Sequence, residues 1–228
     1  LAGRPSHGKS ALAWSMLDAA ARKGRPGAFI SLEMPEQAVM VRHLQRITDI
    51  PRSEWSKPDV SRQLHEIADA DIASKSPIYF SRGGNQTLTD VLQEVRHYAE
   101  KGAEIVAIDY VGLIGGQGDP FKKVTDSSIA LAKLAKELHI CVVNLAQLRR
   151  QPPQVRGVMM PMQSDLRDSG QLEQDADTIL ACVYPHLVAS EDYGPEVFNI
   201  CVLKNRHRGI NNPVVSVKFL PQRQLFVG

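Results

Sequence analysis

The sequence predicts a mainly parallel α/β sheet flanked by helices, with a β-rich C-terminal edge. Three observations predict it. Apolar strands alternate with helical patterns through residue 148, and strands dominate after it. A length of 228 residues with 43% hydrophobic content is enough to bury one large core. The first residues, "LAGRPSHGKSALAWSM", place glycines and a lysine immediately ahead of a helix, as a strand–loop–helix unit requires.

Taken in order, residues 11–23 predict a helix: Leu12, Met16, Leu17 and Ala20 share one face, Arg22 and Lys23 fill the last turn, and Gly24 stops it. "GAFISLEM" (27–34) predicts a short buried strand ending at Glu33, and Pro35 opens the helix "PEQAVMVRHLQRIT". Residues 49–58 are irregular, and a polar amphipathic helix follows over 59–73. "SPIYFSR" (76–82) reads as a strand. "TLTDVLQEVRHYAEKG" carries a capping box, Thr87 with Asp90, and a stop at Gly102. "EIVAIDYVGLI" (104–114) reads as a buried strand and "GGQGDPFKK" (115–123) as a mobile glycine-rich loop. "VTDSSIALAKLAKEL" is a helix and "ICVVNLAQ" (140–147) a buried strand. A Pro- and Arg-rich loop spans 149–164, and "TILACVYP", "EVFNICVLKN" and "NPVVSVKFL" finish the chain as strands.

Open α/β sheets bind ligands at the carboxyl ends of their strands. The residues there form a series. Gly3, Arg4, Pro5, Ser6, His7, Gly8, Lys9 and Ser10 match G-x-x-x-x-G-K-[ST], the pattern whose backbone N–H groups cradle phosphates at a helix N-terminus. Lys9 is placed to reach the outer phosphates, and the Ser10 hydroxyl to ligate Mg2+. Asp109 ends "IVAI", where an acid supports that magnesium through water. Tyr110 follows it, not a glutamate, so a general base has to come from another strand end. Glu33 is the best-placed carboxylate, although alone it reads equally as a solvated loop acid. Gln147 can hydrogen-bond a γ-phosphate or its attacking water, or be an ordinary satisfied polar residue. Asp175 and Asp177 precede a strand and are expected to cap or pair. His7 is expected to face solvent, and Trp14 and Trp55 to pack.

Composition narrows the class further. A net charge of +2 does not diagnose a nucleic-acid or membrane surface, so any basic patch is local, as in Arg149, Arg150 and Arg156. Cys141, Cys182 and Cys201 lie in apolar runs without metal-ligand spacing, and are expected as buried thiols of a reducing cytosol. No apolar run approaches bilayer length. Only Leu1 and Ala2 precede Gly3, which is expected of a fragment beginning within its first strand.

"GRPSHGKSALA", "SLEMPEQ", "IVAIDYVGLI", "VNLAQLRR", "SDLRDSGQLEQDAD" and "KNRHRG" occur in that order. Together they resemble the RecA-like ATPase domain of DnaB-type replicative helicases, from residue 3 to about 226. The most specific piece is "SDLRDSGQLEQDAD", which generic phosphate-loop proteins lack. The resemblance implies a single motor domain over 1–228, with the family's N-terminal helical domain and linker helix outside it. It implies ATP and Mg2+ as ligands, Glu33 as the base, Asp109 beside magnesium, and Gln147 linking the γ-phosphate to DNA-facing loops. Lys204 and Arg206 would reach the ATP site of the adjacent subunit, with Arg208 as an alternative finger. Arg167, Asp168 and Gly170 would touch single-stranded DNA in a hexameric ring. Primase and a helicase loader would be partners, at a replication fork in the cytoplasm. His7 departs from the family's usual Met. A strand-exchange recombinase and a non-catalytic, ATP-switched loader remain as alternatives that share the phosphate loop.

Overall fold

The computed structural model describes residues 1–81, 83–116, 118–149, 157–166, 170–210 and 213–227. Its elements run β1 (Ala2–Gly3), α1 (Lys9–Arg22), β2 (Gly27–Ser31), α2 (Glu36–Ile47), α3 (Pro58–Ala73), β3 (Ile78–Phe80), α4 (Leu88–Glu100) and β4 (Ile105–Asp109). There follow α5 (Pro120–Leu138), β5 (Cys141–Asn144), β6 (Ala146–Gln147), α6 (Gly170–Asp175), β7 (Thr178–Val183), β8 (Val197–Asn205), β9 (Val214–Leu220) and β10 (Leu225–Val227).

Strands β3-β2-β4-β5 pair in parallel, and β6-β1-β7 do so as well. The segment Cys141–Gln147 joins the two sets. The Leu145 N–H donates to the Ile108 carbonyl at 3.0 Å, and the Ala146 N–H to the Leu1 carbonyl at 2.9 Å. β8, β9 and β10 then add antiparallel strands beyond β7. The expected parallel sheet with a β-rich C-terminal edge is therefore the architecture found.

Strand alternation divides the core. Ala28, Ile30, Val106 and Ile108 face one way and pack with Val91 and Val95 of α4 and Leu131 and Leu134 of α5. Phe29 and Ala107 face the other way, against Ala13, Trp14 and Leu17 of α1 and Val39 of α2. Asp109 is two residues after Ala107, so the same alternation delivers it to the α1 side, where the phosphate loop lies. A third cluster, Leu12, Tyr184, Phe198 and Phe219, closes the antiparallel edge over α1.

An ion network ties α1, α2 and α3 together. Asp18, His43 and Asp71 bring oxygen and nitrogen atoms within 4.8 Å of one another, as a metal site would. The Lys75 ammonium fills that space, 2.5 Å from Asp18 and 2.6 Å from Asp71. His43 accepts from the Trp14 indole at 3.1 Å and meets Asp71 at 2.8 Å. Burial holds its pKa below the usual histidine value.

Several expected boundaries move. The strand expected over 104–114 ends at Asp109, and Val111–Leu113 form a 3-10 turn whose apolar side chains pack without extending the sheet. The supposed loop 115–123 contributes to α5: Asp119 caps it by accepting from the Lys122 N–H, and Pro120 takes its first turn. The strand expected over 140–147 is split at Leu145. α6 and β10 have no counterpart in the sequence reading. Cys182 and Cys201 are buried as expected, whereas Cys141 is exposed, because it opens β5 at the edge of a cavity.

Candidate nucleotide site

The phosphate loop is shaped by two glycines. Gly8 caps α1 in a left-handed conformation, φ 74°, and a Cβ there would meet the Phe198 ring at 2.8 Å. A Cβ on Gly3 would meet the Lys9 side chain at 2.8 Å. α1 has no side-chain cap and no acid in its first turn, so no carboxylate of its own competes for the N–H groups that open the helix.

Lys9 rests half-buried, donating to the Arg4 carbonyl at 3.2 Å. Burial lowers its pKa, while the charges of Asp109 and Glu33 act in the opposite sense. Asp109 is fully buried, and neither carboxylate oxygen has a hydrogen-bond partner of good geometry. Burial raises its pKa. The adjacent Ser10 hydroxyl pulls it down, Glu33 pushes it up, and Lys9 and Arg42 pull it down. A buried, unpartnered carboxylate beside a hydroxyl and an ammonium is a costly arrangement, and a hard cation bridging Asp109 and Ser10 would satisfy it. These residues fit magnesium.

Glu33 lies beyond the end of β2, exposed, in a turn that Ser31 holds with a hydroxyl–Met34 carbonyl bond of 2.7 Å. Its N–H reaches the Asp109 carbonyl at 3.3 Å, so the base candidate and the magnesium candidate sit on neighbouring strand ends. Gln147 lies opposite Gly3 in the parallel register of β6 and β1. Four predicted strand ends thus converge on one edge of the sheet. A cavity of about 380 Å³ lies elsewhere: two of its lining residues, Cys141 and Thr178, begin β5 and β7 at the other end of the strands.

Two loop residues behave differently from expectation. His7 is buried, and its Nδ1 accepts the Tyr184 N–H at 3.0 Å. Burial, reinforced by Arg4 and Lys9, lowers its pKa to about 4. It does not face solvent; as a neutral acceptor it pins the phosphate loop to the end of β7. The Arg4 side chain turns away from the loop's hollow and donates to the main-chain carbonyls of Arg149 at 3.4 Å and Met159 at 3.3 Å. Neither partnership leaves a local sequence signal, because the partners lie more than a hundred residues away.

The remaining site residues divide. Lys204 ends against α6, its ammonium 2.5 Å from the Glu173 carbonyl. Arg206 is exposed, paired with Asp177 at 2.7 Å. Asp175 accepts from Ser128 at 2.6 Å, so both aspartates pair as expected. Gly170 opens α6, while Arg167 and Asp168 lie outside the described residues, as do Arg150 and Arg156.

A helix N-terminus fed by a glycine loop, a lysine, a hydroxyl and a strand-end aspartate define a P-loop nucleoside triphosphatase domain on a RecA-like sheet. The particular family follows from comparison. Residues 1–227 match the DnaB-like helicase C-terminal domain, and the chain belongs to that family. The replicative DNA helicase DnaB of Leifsonia xyli is 34% identical over 225 residues, 96% of this chain and 48% of that protein. A probable plasmid replicative DNA helicase of Chlamydia psittaci is 34% identical over 217 residues, 92% of this chain and 47% of that protein. The chain spans about half the length of these curated relatives. Among solved structures, a DnaB-like replicative helicase, solved in a study of its interactions with primase, superposes with a TM-score of 0.85 at 27% identity, covering 99% of this chain and 56% of that one. A second solved structure, of an ATPase domain, gives 0.84 at 26% identity, covering 99% and 82%. Among the described residues no helix is long and apolar enough to cross a membrane.

Proposed function

We propose that residues 1–228 act as one motor domain, hydrolysing ATP with Mg2+ to move along single-stranded DNA and unwind the duplex. The nucleotide site rests on the buried carboxylate of Asp109, which has no hydrogen bond of good geometry and lies beside Ser10 and Lys9 at the open end of α1; the unwinding activity rests on membership of the DnaB-like helicase family. Ser10 and Asp109 would hold magnesium, which would supply neutralising charge beside the phosphates. The N–H groups of residues 3–10 orient the phosphates, and Lys9 leaves the Arg4 carbonyl to meet the outer ones. Glu33 takes the proton of the attacking water, and Gln147 contacts the γ-phosphate from the adjoining strand.

Charge still develops on the side of the γ-phosphate facing away from the sheet. Arg206 of a neighbouring subunit is the residue suited to meet it, and an arginine supplied in this way contributes about 10³–10⁵-fold in rate. Hydrolysis then depends on assembly, which suits a hexameric ring. Arg167, Asp168 and Gly170 would follow the DNA backbone, a contact that tolerates any sequence. Primase and a loader are the partners proposed for the full-length protein, at the replication fork in the cytoplasm.

The test is ATP turnover of the full-length protein with and without single-stranded DNA, beside strand separation on a forked substrate. Turnover should rise with DNA, and Lys9→Ala should abolish both activities. Full activity of that variant would remove the nucleotide assignment. DNA filaments without unwinding would indicate strand exchange instead.

A further inference from the structure

The antiparallel register of β7 and β8 sets Thr178 opposite Asn205 and Ile179 opposite Lys204. The residues just before β7 therefore meet those just after β8. The Arg206 N–H donates to the Asp177 carbonyl at 2.8 Å. Its guanidinium donates through Nη1 to Asp177 Oδ1 at 2.7 Å and through Nη2 to the Gln174 carbonyl at 2.7 Å. Lys204 Nζ donates to the Glu173 carbonyl at 2.5 Å and to the Gln174 carbonyl at 3.4 Å.

The two cations differ in what they have left to give. Lys204 is half-buried and points its ammonium at the orphan carbonyls ending α6, where positive charge is favoured. Arg206 is exposed, and the side-chain bonds named above use two of the five N–H groups of a guanidinium. One edge is anchored while the side chain stays open to solvent.

We propose that Asp177 is the positioning residue of Arg206: it holds the guanidinium by one edge, so that its free edge faces a phosphate of the neighbouring subunit's nucleotide. This rests on reading Arg206 as the residue that acts across the subunit boundary. Asp177 acts through Arg206 and touches no substrate. Both side chains are about half exposed, and such pairs contribute little to folding stability. Orientation is the better account of the pair, because an arginine misplaced by about 1 Å can lose about 10²-fold in rate.

The experiment measures DNA-stimulated ATP turnover of the full-length protein for Arg206→Ala, Asp177→Ala, their double variant and Asp177→Asn. Asp177→Ala should lower kcat by about 10- to 100-fold with little change in the KM for ATP. The double variant should be no slower than Arg206→Ala alone, since Asp177 works only through that arginine. Asp177→Asn keeps an acceptor oxygen and should recover part of the rate. Wild-type or faster turnover of Asp177→Ala, or a further loss in the double variant, would overturn the positioning role. If Arg206→Ala itself keeps full turnover, the reading of Arg206 falls instead. Thermal melting and ring assembly are checked for each variant, and if Asp177→Ala misfolds, Asp177→Asn carries the same comparison.

Discussion

The two halves of the proposed site are built differently. The half that would hold a nucleotide within one subunit grows from the middle of the sheet. Asp109 is fully buried, Gly3 and Gly8 are crowded by their neighbours, and His7 is buried behind the loop. The half that would act on a neighbour stands at the end of β8. Its arginine is exposed and held by a surface ion pair with Asp177 and by one carbonyl of the short helix α6. The first half stores cost in place, as a buried carboxylate with no hydrogen bond of good geometry. The second stores very little and depends on orientation. The proposed ring motor, firing only when assembled, would need both: a site primed for its ligand, and a trigger that is inert alone.

The sharpest way to break this contrast is Asp109→Asn. ATP turnover should fall by about 10²- to 10³-fold, because support for the magnesium position is lost. Stability should move the other way. The pKa of Asp109 is raised in the folded chain, so its contribution to stability is favourable only below the ordinary carboxylate range. That contribution is lost as pH rises through the raised value, and at neutral pH the ionised group is a burden. Removing the charge should raise the melting temperature without nucleotide by about 2–4 °C for each kcal/mol relieved. A melting point that drops would show that Asp109 is satisfied in the free protein and that the primed half is not strained.

That half was also the more legible one. The glycine–lysine pattern and the apolar strand ending in Asp109 are local and periodic, and they survive reading one residue at a time. What the sequence hid was tertiary. Tyr110–Ile114 continue an apolar run and read as strand, yet they turn because Val111 and Ile114 find core without further pairing. α6 and β10 are too short for periodicity to register. The side chains of Arg4 and His7 read as loop decoration, since Met159 and Tyr184 lie 155 and 177 positions away.

Arg4 offers a second, smaller test, of how the nucleotide half speaks to the rest of the chain. Its carbonyl accepts from Lys9, and its guanidinium holds the Arg149 and Met159 carbonyls, both within the Pro- and Arg-rich segment 149–164. The Leu148 N–H also donates to the Gly3 carbonyl at 3.0 Å. If Lys9 leaves for a phosphate as proposed, the carbonyl it frees belongs to a residue whose side chain already grips the segment carrying Arg149 and Met159. Arg4→Met should lower the ratio of DNA-stimulated to basal turnover by about tenfold, within the range of ordinary coupling energies. If both rates fall together and the ratio stands, the contact is structural and the coupling runs elsewhere.

The last test concerns His7. Its folded pKa of about 4 lies below the unfolded value of 6.5. The stability it contributes is therefore present above 6.5 and is lost as pH falls toward 4. By pH 5 the loss should reach about 2 kcal/mol, since the unfolded chain takes up a proton that the folded chain refuses. His7→Met cannot titrate, so its melting temperature between pH 7 and pH 5 should fall less than that of the parent chain. The main cause is burial of the imidazole, with the charges of Arg4 and Lys9 adding to it; the Tyr184 N–H also needs an acceptor that a protonated imidazole does not provide. Methionine offers only a weak acceptor, so the variant should also start slightly less stable at pH 7. Parallel melting curves for the two proteins would mean that His7 leaves its pocket freely on protonation, and that the phosphate loop is held by its glycines alone.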